Sequence, residues 1–340
     1  MKEIRAVICG CGRMGKIGTQ YLVKKGVKIV GAIDANPALT GVDLGELSGI
    51  GALGIKISPD IDAVLEEAHA DIAVCALFSL MSMNEPIFTK ILTHGVNIIT
   101  TCDEGHFSWN TAPEPTKRLD ALAKEHGVTI TGCGFQDIFW MNIAHTAAGG
   151  MVEITDLDGI AIWNTDDYGP ALAEAYKVGY KLKDFEALAA SAEGFGDGFL
   201  TRATNDAVCS RFGLTAVKHT CKLEPCIKDH DVYSKTLGRV IPAGDVVGTR
   251  EIVITETAEG IPVKFVDECY VYDEGEYDRT IWHINGTPGV EVEMPRVQTH
   301  LLTMGTILNR IPDVINAAPG YVTNSEMDVA SYHVTDLTLD

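Results

Sequence analysis

Short apolar runs alternate with amphipathic stretches along the first part of the chain. Ala6–Cys9 is continuously apolar, as a strand buried on both faces must be; Ile72–Leu77 repeats the pattern, and Asn97–Thr100 and Val128–Thr131 are further short strand segments. Between these runs, Asp62–Ala68, Glu85–His94 and Glu114–His126 carry apolar residues at helical spacing. The rhythm predicts an open parallel sheet with crossover helices over residues 1–140. After Gly132 the pattern changes. A short helix is predicted at Trp140–Ala148 and a strand at Ile154–Trp163, then helices at Leu172–Gly179, Lys183–Ala192 and Phe199–Phe212. From His219 to Met294 the chain is strand-rich, with β-branched runs such as Arg250–Thr255 and Lys264–Asp267. This predicts an α+β domain over 141–295. Gln298–Ile315 has one apolar face and is predicted to return to the first domain, so that 296–340 completes it. The fold class is α/β.

The first strand runs directly into Gly10-Cys11-Gly12-Arg13-Met14-Gly15, and the second strand, Ile29–Ile33, ends in Asp34. Strand, Gly-x-Gly-x-x-Gly, helix, strand and terminal acid in that order form the dinucleotide-binding fingerprint of a Rossmann-type fold. Gly10 permits the tight turn, Gly12 lets backbone approach a pyrophosphate, and Gly15 lets helix and strand pack closely. The helix N-terminus offers unpaired N–H groups to phosphate. Asp34 accepts from the adenosine ribose and repels a 2′-phosphate, which favours NAD, while Arg13 in the loop leaves NADP tolerated. Met14 lies in the same turn, and Thr101, at the end of a later strand, is a further cofactor-binding candidate.

Composition narrows the partners. A formal net charge of −20 over 340 residues argues against nucleic acid and anionic membranes, both of which need a basic footprint. No apolar run reaches membrane-spanning length, and the chain enters a strand at once with no signal peptide, so a cytoplasmic location is expected. The nine cysteines do not have metal-ligand spacing; they read as reduced, mostly buried thiols, and no metal site is predicted.

Ligands in open parallel sheets bind beyond the carboxyl ends of the strands. Thr100-Thr101-Cys102-Asp103-Glu104-Gly105-His106-Phe107-Ser108-Trp109 follows such a strand and gathers two carboxylates, an imidazole and two aromatics. Hydride transfer at a carbon next to nitrogen or oxygen requires a group that manages one proton. Position alone ranks Glu104 and His106 as rivals, with Asp103 third; each also reads as a helix cap or a solvated side chain. In the second domain, Asn164 and Tyr168 follow a strand and have polar groups for a substrate, although Asp166–Pro170 is also an ordinary turn composition. Arg202 and Arg211 read as surface ion-pair partners, and His145 and His219 as core histidines.

The Gly-Cys-Gly-Arg-Met-Gly turn resembles the dihydrodipicolinate reductase N-terminal superfamily. The whole chain is more similar to the branch containing 2,4-diaminopentanoate dehydrogenases and native amine dehydrogenases. The resemblance rests on the Thr101-Cys102-Asp103-Glu104 run before Trp109, the Gly132-Cys133-Gly134-Phe135 turn, and Asn309-Arg310-Ile311-Pro312 with Ala318-Pro319-Gly320. It implies that Glu104 binds ammonia or the substrate amine and shuttles protons, that Phe135, Trp140 and Tyr168 shape the substrate pocket, and that the protein is a homodimer joined through the second-domain sheet. The His-His run and Ser-Gly-Thr turn of dihydrodipicolinate reductase proper are absent. Phe135–Trp140 also replaces the Asn-Pro-Gly of diaminopentanoate dehydrogenases, and a bulky aromatic rim suits a small ketone or amine.

The sequence therefore points to an NAD(P)-dependent amine dehydrogenase acting on a small ketone or aldehyde with ammonia, and on the amine in reverse. Two alternatives stay open: a 2,4-diaminopentanoate or other amino-acid dehydrogenase, and a dinucleotide-binding sensor without turnover.

Overall fold

The computed structural model describes residues 2–192 and 200–339. They fall into two compact units, Met1–Ile138 with Leu301–Asp340, and Phe139–His300. The first unit runs β1 (Arg5–Cys9), α1 (Arg13–Lys24), β2 (Lys28–Ile33), β3 (Ile57–Ser58), α2 (Ile61–Ala68), β4 (Ile72–Cys75), α3 (Met81–Thr93), β5 (Asn97–Thr100), α4 (Pro113–His126) and β6 (Thr129–Gly132). A π-helical turn, Gln136–Asn142, then leads into α5 (Ile143–Ala148). The helical path thus begins at Gln136, ahead of the predicted start at Trp140.

The second unit contains β7 (Glu153–Asn164), α6 (Leu182–Ala192), α7 (Thr201–Phe212), β8 (Ala216–Ile227), β9 (Val246–Thr257), β10 (Val263–Tyr270), β11 (Arg279–Thr287) and β12 (Val290–Pro295). Its sheet has the order β12-β11-β7-β10-β9-β8 and is mixed: β7 and β10 are parallel and the other pairs antiparallel. One face carries Val253, Phe265 and Trp282, all fully buried. The predicted helix at Leu172–Gly179 is only the turn and a half Pro170–Ala175, and Phe199, the predicted start of α7, lies outside the described residues.

The chain closes with α8 (Thr299–Asn316) and β13 (Gly320–Tyr321). The first unit's sheet has the order β13-β6-β5-β4-β1-β2-β3 with every pair parallel. Apart from the added edge strand β13, this is the dinucleotide-binding order, whose direction reverses between β1 and β4. Alternation along β1 explains why α8 returns. Ala6 and Ile8 point to one face, where Leu22 of α1 and Ile307 and Ile311 of α8 cover them. Val7 and Cys9 point to the other, under Leu65, Phe88, Ile91 and Leu119 of α2, α3 and α4. A parallel sheet must be buried on both faces, and α8 supplies half the cover of one.

One ion pair fastens α8 to the π-helical turn. Arg310 is wholly buried, and its Nε and Nη2 donate to Asp137 Oδ2 and Oδ1 at 2.9 and 3.0 Å. Its Nη1 donates to Asp313 Oδ2 at 3.0 Å and to the Asp328 carbonyl. Arg310→Met takes the guanidinium away from the buried Asp137 carboxylate and should lower the unfolding free energy by about 3–5 kcal/mol in denaturant titrations. Asp137→Leu combined with Arg310→Met should recover much of that loss; a single variant as stable as wild type would show that the pair contributes nothing.

Candidate active site

The glycine turn has the shape a dinucleotide needs. Gly10 has φ +92°, and a Cβ on it would lie 2.3 Å from the Ala76 carbonyl oxygen; one on Gly15 would lie 1.9 Å from that of Gly10. Gly12 faces open space, with nothing within 4 Å of its ideal Cβ. It caps α1 without a side-chain hydrogen bond, and the first turn of α1 has no acidic residue. A helix start with no side-chain cap and no acidic residue, beneath open space, fits a pyrophosphate. Asp34 ends β2 with Oδ2 accepting from Cys11 N at 2.7 Å and Oδ1 from Asn36 N at 2.8 Å. Each oxygen keeps a second lone pair for a ribose hydroxyl. Arg13 is exposed at the head of α1, while Met14 packs on the core below. Thr101 is half-buried at the end of β5, its N–H bonded to the Cys75 carbonyl at 3.0 Å. These residues fit a nicotinamide dinucleotide.

Beside this turn, the loops after β4 and β5 meet. Glu104 is buried, 5% exposed, on a 3-10 turn spanning Glu104–His106. Its Oε2 accepts from Met81 N, the first residue of α3, at 2.7 Å, and its own N–H donates to the Ser79 carbonyl at 3.0 Å. Leu80, at the N-cap of α3, has no capping side chain. The carboxylate therefore caps a helix from 23 residues away, where the helix dipole favours its charge. Oε1 has no hydrogen-bond partner among the described residues and is left for a ligand.

Asp103 and His106 have other duties. Asp103 Oδ2 accepts from Ser79 Oγ at 2.5 Å and Oδ1 from Gln136 Nε2 at 2.9 Å. Burial lifts its carboxyl above the ordinary value, and these two hydrogen bonds pull it back. His106 is 2% exposed; its Nδ1 lies 3.4 Å from Asn324 Nδ2, and its Nε2 has no partner among the described residues. Burial pushes the imidazole down to about 4, against the pull of Asp137 and with the help of Arg310. A ring that is neutral and enclosed is a poor proton shuttle at neutral pH, which separates it from its sequence rival Glu104. Phe135, 2% exposed, directly follows the Gly132–Gly134 turn, and Trp109 packs edge-on against Tyr321 at 5.3 Å.

The other pocket candidates belong to the second unit. Trp140 is buried, with its ring 5.0 Å from that of Phe265. Asn164 ends β7, and its Oδ1 accepts from Asp166 N at 3.2 Å and Tyr272 N at 3.4 Å, so half of its amide is spent on the turn. Tyr168 stands edge-on to Trp163 at 4.9 Å and to His300 at 6.1 Å. Arg202 is not a surface ion-pair residue: its side chain is 15% exposed and its Nε lies 4.0 Å from Asp206 Oδ2, in a carboxylate that is itself wholly buried. His219 Nε2 approaches the same carboxylate at 3.3 Å. Sequence reading missed Ser79, Gln136, Tyr321 and Asn324, which hold the Glu104 turn, and Asp137, which pairs with Arg310. The one signal was polar Gln136-Asp137 inside an aromatic run. Among the described residues, no cluster of histidine, cysteine or carboxylate could hold a metal, and no helix is long and apolar enough to cross a membrane.

Unfolded, His106 has an ordinary value near 6.5, so the unfolded chain binds its proton more readily than the folded one. Its contribution to stability is therefore full above about pH 6.5, declines as pH falls towards 4, and is lost below that, by an amount on the order of 3 kcal/mol. His106→Gln should flatten the stability–pH curve across this window in urea titrations. Parallel curves for variant and wild type would place the acid sensitivity elsewhere.

Residues 4–106 match the family model for the dihydrodipicolinate reductase N-terminus, and residues 140–338 match that for the 2,4-diaminopentanoate dehydrogenase C-terminal domain. The chain is 25% identical to a 2,4-diaminopentanoate dehydrogenase of Acetoanaerobium sticklandii, over 97% of this chain and 94% of that one. It is similar to the solved structure of an amine dehydrogenase from Mycobacterium smegmatis, with 39% identity, TM-score 0.93 and 98% of each chain covered. A scyllo-inositol dehydrogenase from Lactobacillus casei, solved with NAD(H) and scyllo-inositol, shares the fold alone, at 16% identity and TM-score 0.55, with 86% of this chain and 76% of that one covered. With more than half its length matching one family model, the chain belongs to the family defined by the 2,4-diaminopentanoate dehydrogenase C-terminal domain.

Proposed function

We propose that the protein is an NAD(P)-dependent amine dehydrogenase, an oxidoreductase acting on CH–NH2 groups, which converts a small ketone or aldehyde plus ammonia to a primary amine and back. The observation that carries this reading is Glu104, a buried carboxylate fixed by one oxygen to the start of α3, with the other oxygen open, beside a turn shaped for a dinucleotide. When bound, the nicotinamide dinucleotide supplies or accepts the hydride. Gly10, Gly12, Gly15 and the head of α1 hold its pyrophosphate, with Arg13, Met14 and Thr101 around it, and Asp34 holds the adenosine ribose. The Asp34 carboxylate repels a 2′-phosphate, so NAD is preferred and Arg13 makes NADP tolerable.

The chemistry assigned to Glu104 is electrostatic and protonic. Ammonia attacking the carbonyl carbon acquires positive charge, which a fixed carboxylate stabilises more than it does the neutral ketone. Glu104 relays two protons in turn from that nitrogen to the former carbonyl oxygen, the first making the carbinolamine hydroxyl and the second releasing it as water, which leaves the imine. Phe135, Trp140, Asn164 and Tyr168 are assigned to the substrate pocket. An amino-acid substrate would need a cation for its carboxylate; of the two candidates in α7, Arg202 and Arg211, Arg202 is drawn towards buried Asp206. A sensor without turnover would have no use for an open, buried carboxylate next to the cofactor turn.

The test is cofactor oxidation that depends on ammonium, measured with NADH and NADPH over a panel of small ketones and aldehydes. NADH should give the higher kcat/KM. Glu104→Gln should lower kcat/KM for reductive amination by about 10²–10⁴-fold, with dinucleotide affinity nearly unchanged. Absence of ammonium-dependent turnover over the whole panel would sink the reading.

A homodimer joined through the second unit's sheet is part of the proposal. Strand register aligns Ile252, Val266, Ile160 and Ile281 in one row across β9, β10, β7 and β11, on the face opposite Val253, Phe265 and Trp282. An apolar row on a face that also carries Arg250, Glu268, Lys264 and Asp158 suits a second copy. Sedimentation should give twice the 36.6 kDa chain mass, and Ile160→Asp with Ile281→Asp should give the single-chain mass. A wild-type monomer at micromolar concentration would rule the dimer out.

A further inference from the structure

Resting on the role just assigned to Glu104, we propose that Tyr321 and Asn324, in the segment following α8, are positioning residues that set the geometry of the Glu104 turn. Tyr321 is 4% exposed and Asn324 fully buried. The Tyr321 hydroxyl donates to the Gly105 carbonyl at 2.8 Å and accepts from Ser108 N at 2.9 Å. It thus joins both ends of the stretch immediately after Glu104. Asn324 Nδ2 donates to the Gly132 carbonyl at 2.9 Å and faces His106 Nδ1 at 3.4 Å, while its Oδ1 accepts from Thr131 Oγ1 at 3.3 Å. It therefore ties the end of β6 to the last residue of the turn that begins at Glu104.

The backbone packing shows how little slack the turn has. A Cβ on Gly132 would lie 2.1 Å from the Gly105 carbonyl and 2.5 Å from His106 N, so the two backbones meet with no side chain between them. Ser79 and Gln136 hold the Asp103 side of the turn, and Tyr321 and Asn324 hold the Gly105–His106 side. Both functions of the Tyr321 hydroxyl are in use, so removing it strands a buried donor and a buried acceptor together. Gly105 and Ser108 then shift to find partners, and the Glu104 carboxylate moves with them relative to Met81 N. A misplacement of about 1 Å at a reacting group costs on the order of 10²-fold in rate. The dinucleotide turn at Gly10–Gly15 makes none of these contacts.

Tyr321→Phe and Asn324→Ser, each in the full chain, test the proposal, with Lys25→Met as control. Lys25 Nζ donates to the His333 carbonyl at 2.5 Å, so that control loosens the same C-terminal segment far from the turn. Wild-type ammonium-dependent turnover is measured first, and its absence overturns the underlying function rather than this inference. Given turnover, Tyr321→Phe should lower kcat/KM for ammonium and for amine by about 10- to 100-fold. NADH dissociation constants should stay within about twofold, and the loss should fall on kcat for the amine and not on KM for NADH, since only the Glu104 side of the site is displaced. Lys25→Met should alter neither parameter. If Tyr321→Phe does not fold, Asn324→Ser is read in the same way. Either variant keeping wild-type amine kinetics while folded overturns the inference, as does loss of NADH affinity in step with amine turnover, which would make the segment a general brace.

Discussion

Everything around the candidate site leans on the Asp137–Arg310 pair. A guanidinium with no solvent exposure has to spend its fork on something, and here it spends two arms on one carboxylate and the third on α8 and the chain beyond it. The energetic case for such pairs is weak when measured against a hydrophobic replacement, because desolvation offsets much of the attraction. What it provides is position. The π-helical turn is pinned to α8 at Asp137, which fixes Gln136 one residue earlier and so the orientation of Asp103. The same two charges pull the buried His106 imidazole in opposite directions, and burial decides the result.

The site itself follows from two sheet-end loops sharing one carboxylate. α3 lacks a cap of its own, so its first free N–H is satisfied by a side chain from the next strand's loop. The helix gains a cap and Glu104 gains a fixed orientation. Its neighbour Asp103, although chemically similar, has both oxygens occupied by Ser79 and Gln136. Two adjacent acids thus divide the work by hydrogen bonding: one is closed and structural, the other half open.

Legibility in the sequence followed the range of the interactions. The glycine turn, Asp34 and the strand–helix alternation depend on residues close in the chain, and these were readable from pattern. The return of α8 was readable too, because its apolar face had no partner nearby. The start of α3 was not. Met81-Ser82-Met83-Asn84 has no capping signature and Pro86 suggests a beginning near Glu85, whereas the actual cap is Glu104. The same holds for Tyr321 and Asn324, whose partners lie more than 190 residues away. A two-residue strand such as β13 has too little pattern to show before the sheet it joins is known. Arg202 was misread because a charged residue on a helix defaults to the surface, and only the tertiary structure reveals the buried carboxylate beneath it.

Residues that serve chemistry are commonly ones a protein would be more stable without. Glu104, in the role proposed for it, is arranged the other way. Any replacement that cannot accept from Met81 N uncaps α3, at a cost of about 0.5–2 kcal/mol, on top of whatever happens to turnover. Selection for folding alone therefore favours an acceptor of this reach at position 104. Laboratory evolution of such a scaffold can pursue thermostability and retention of this carboxylate together, without trading one against the other.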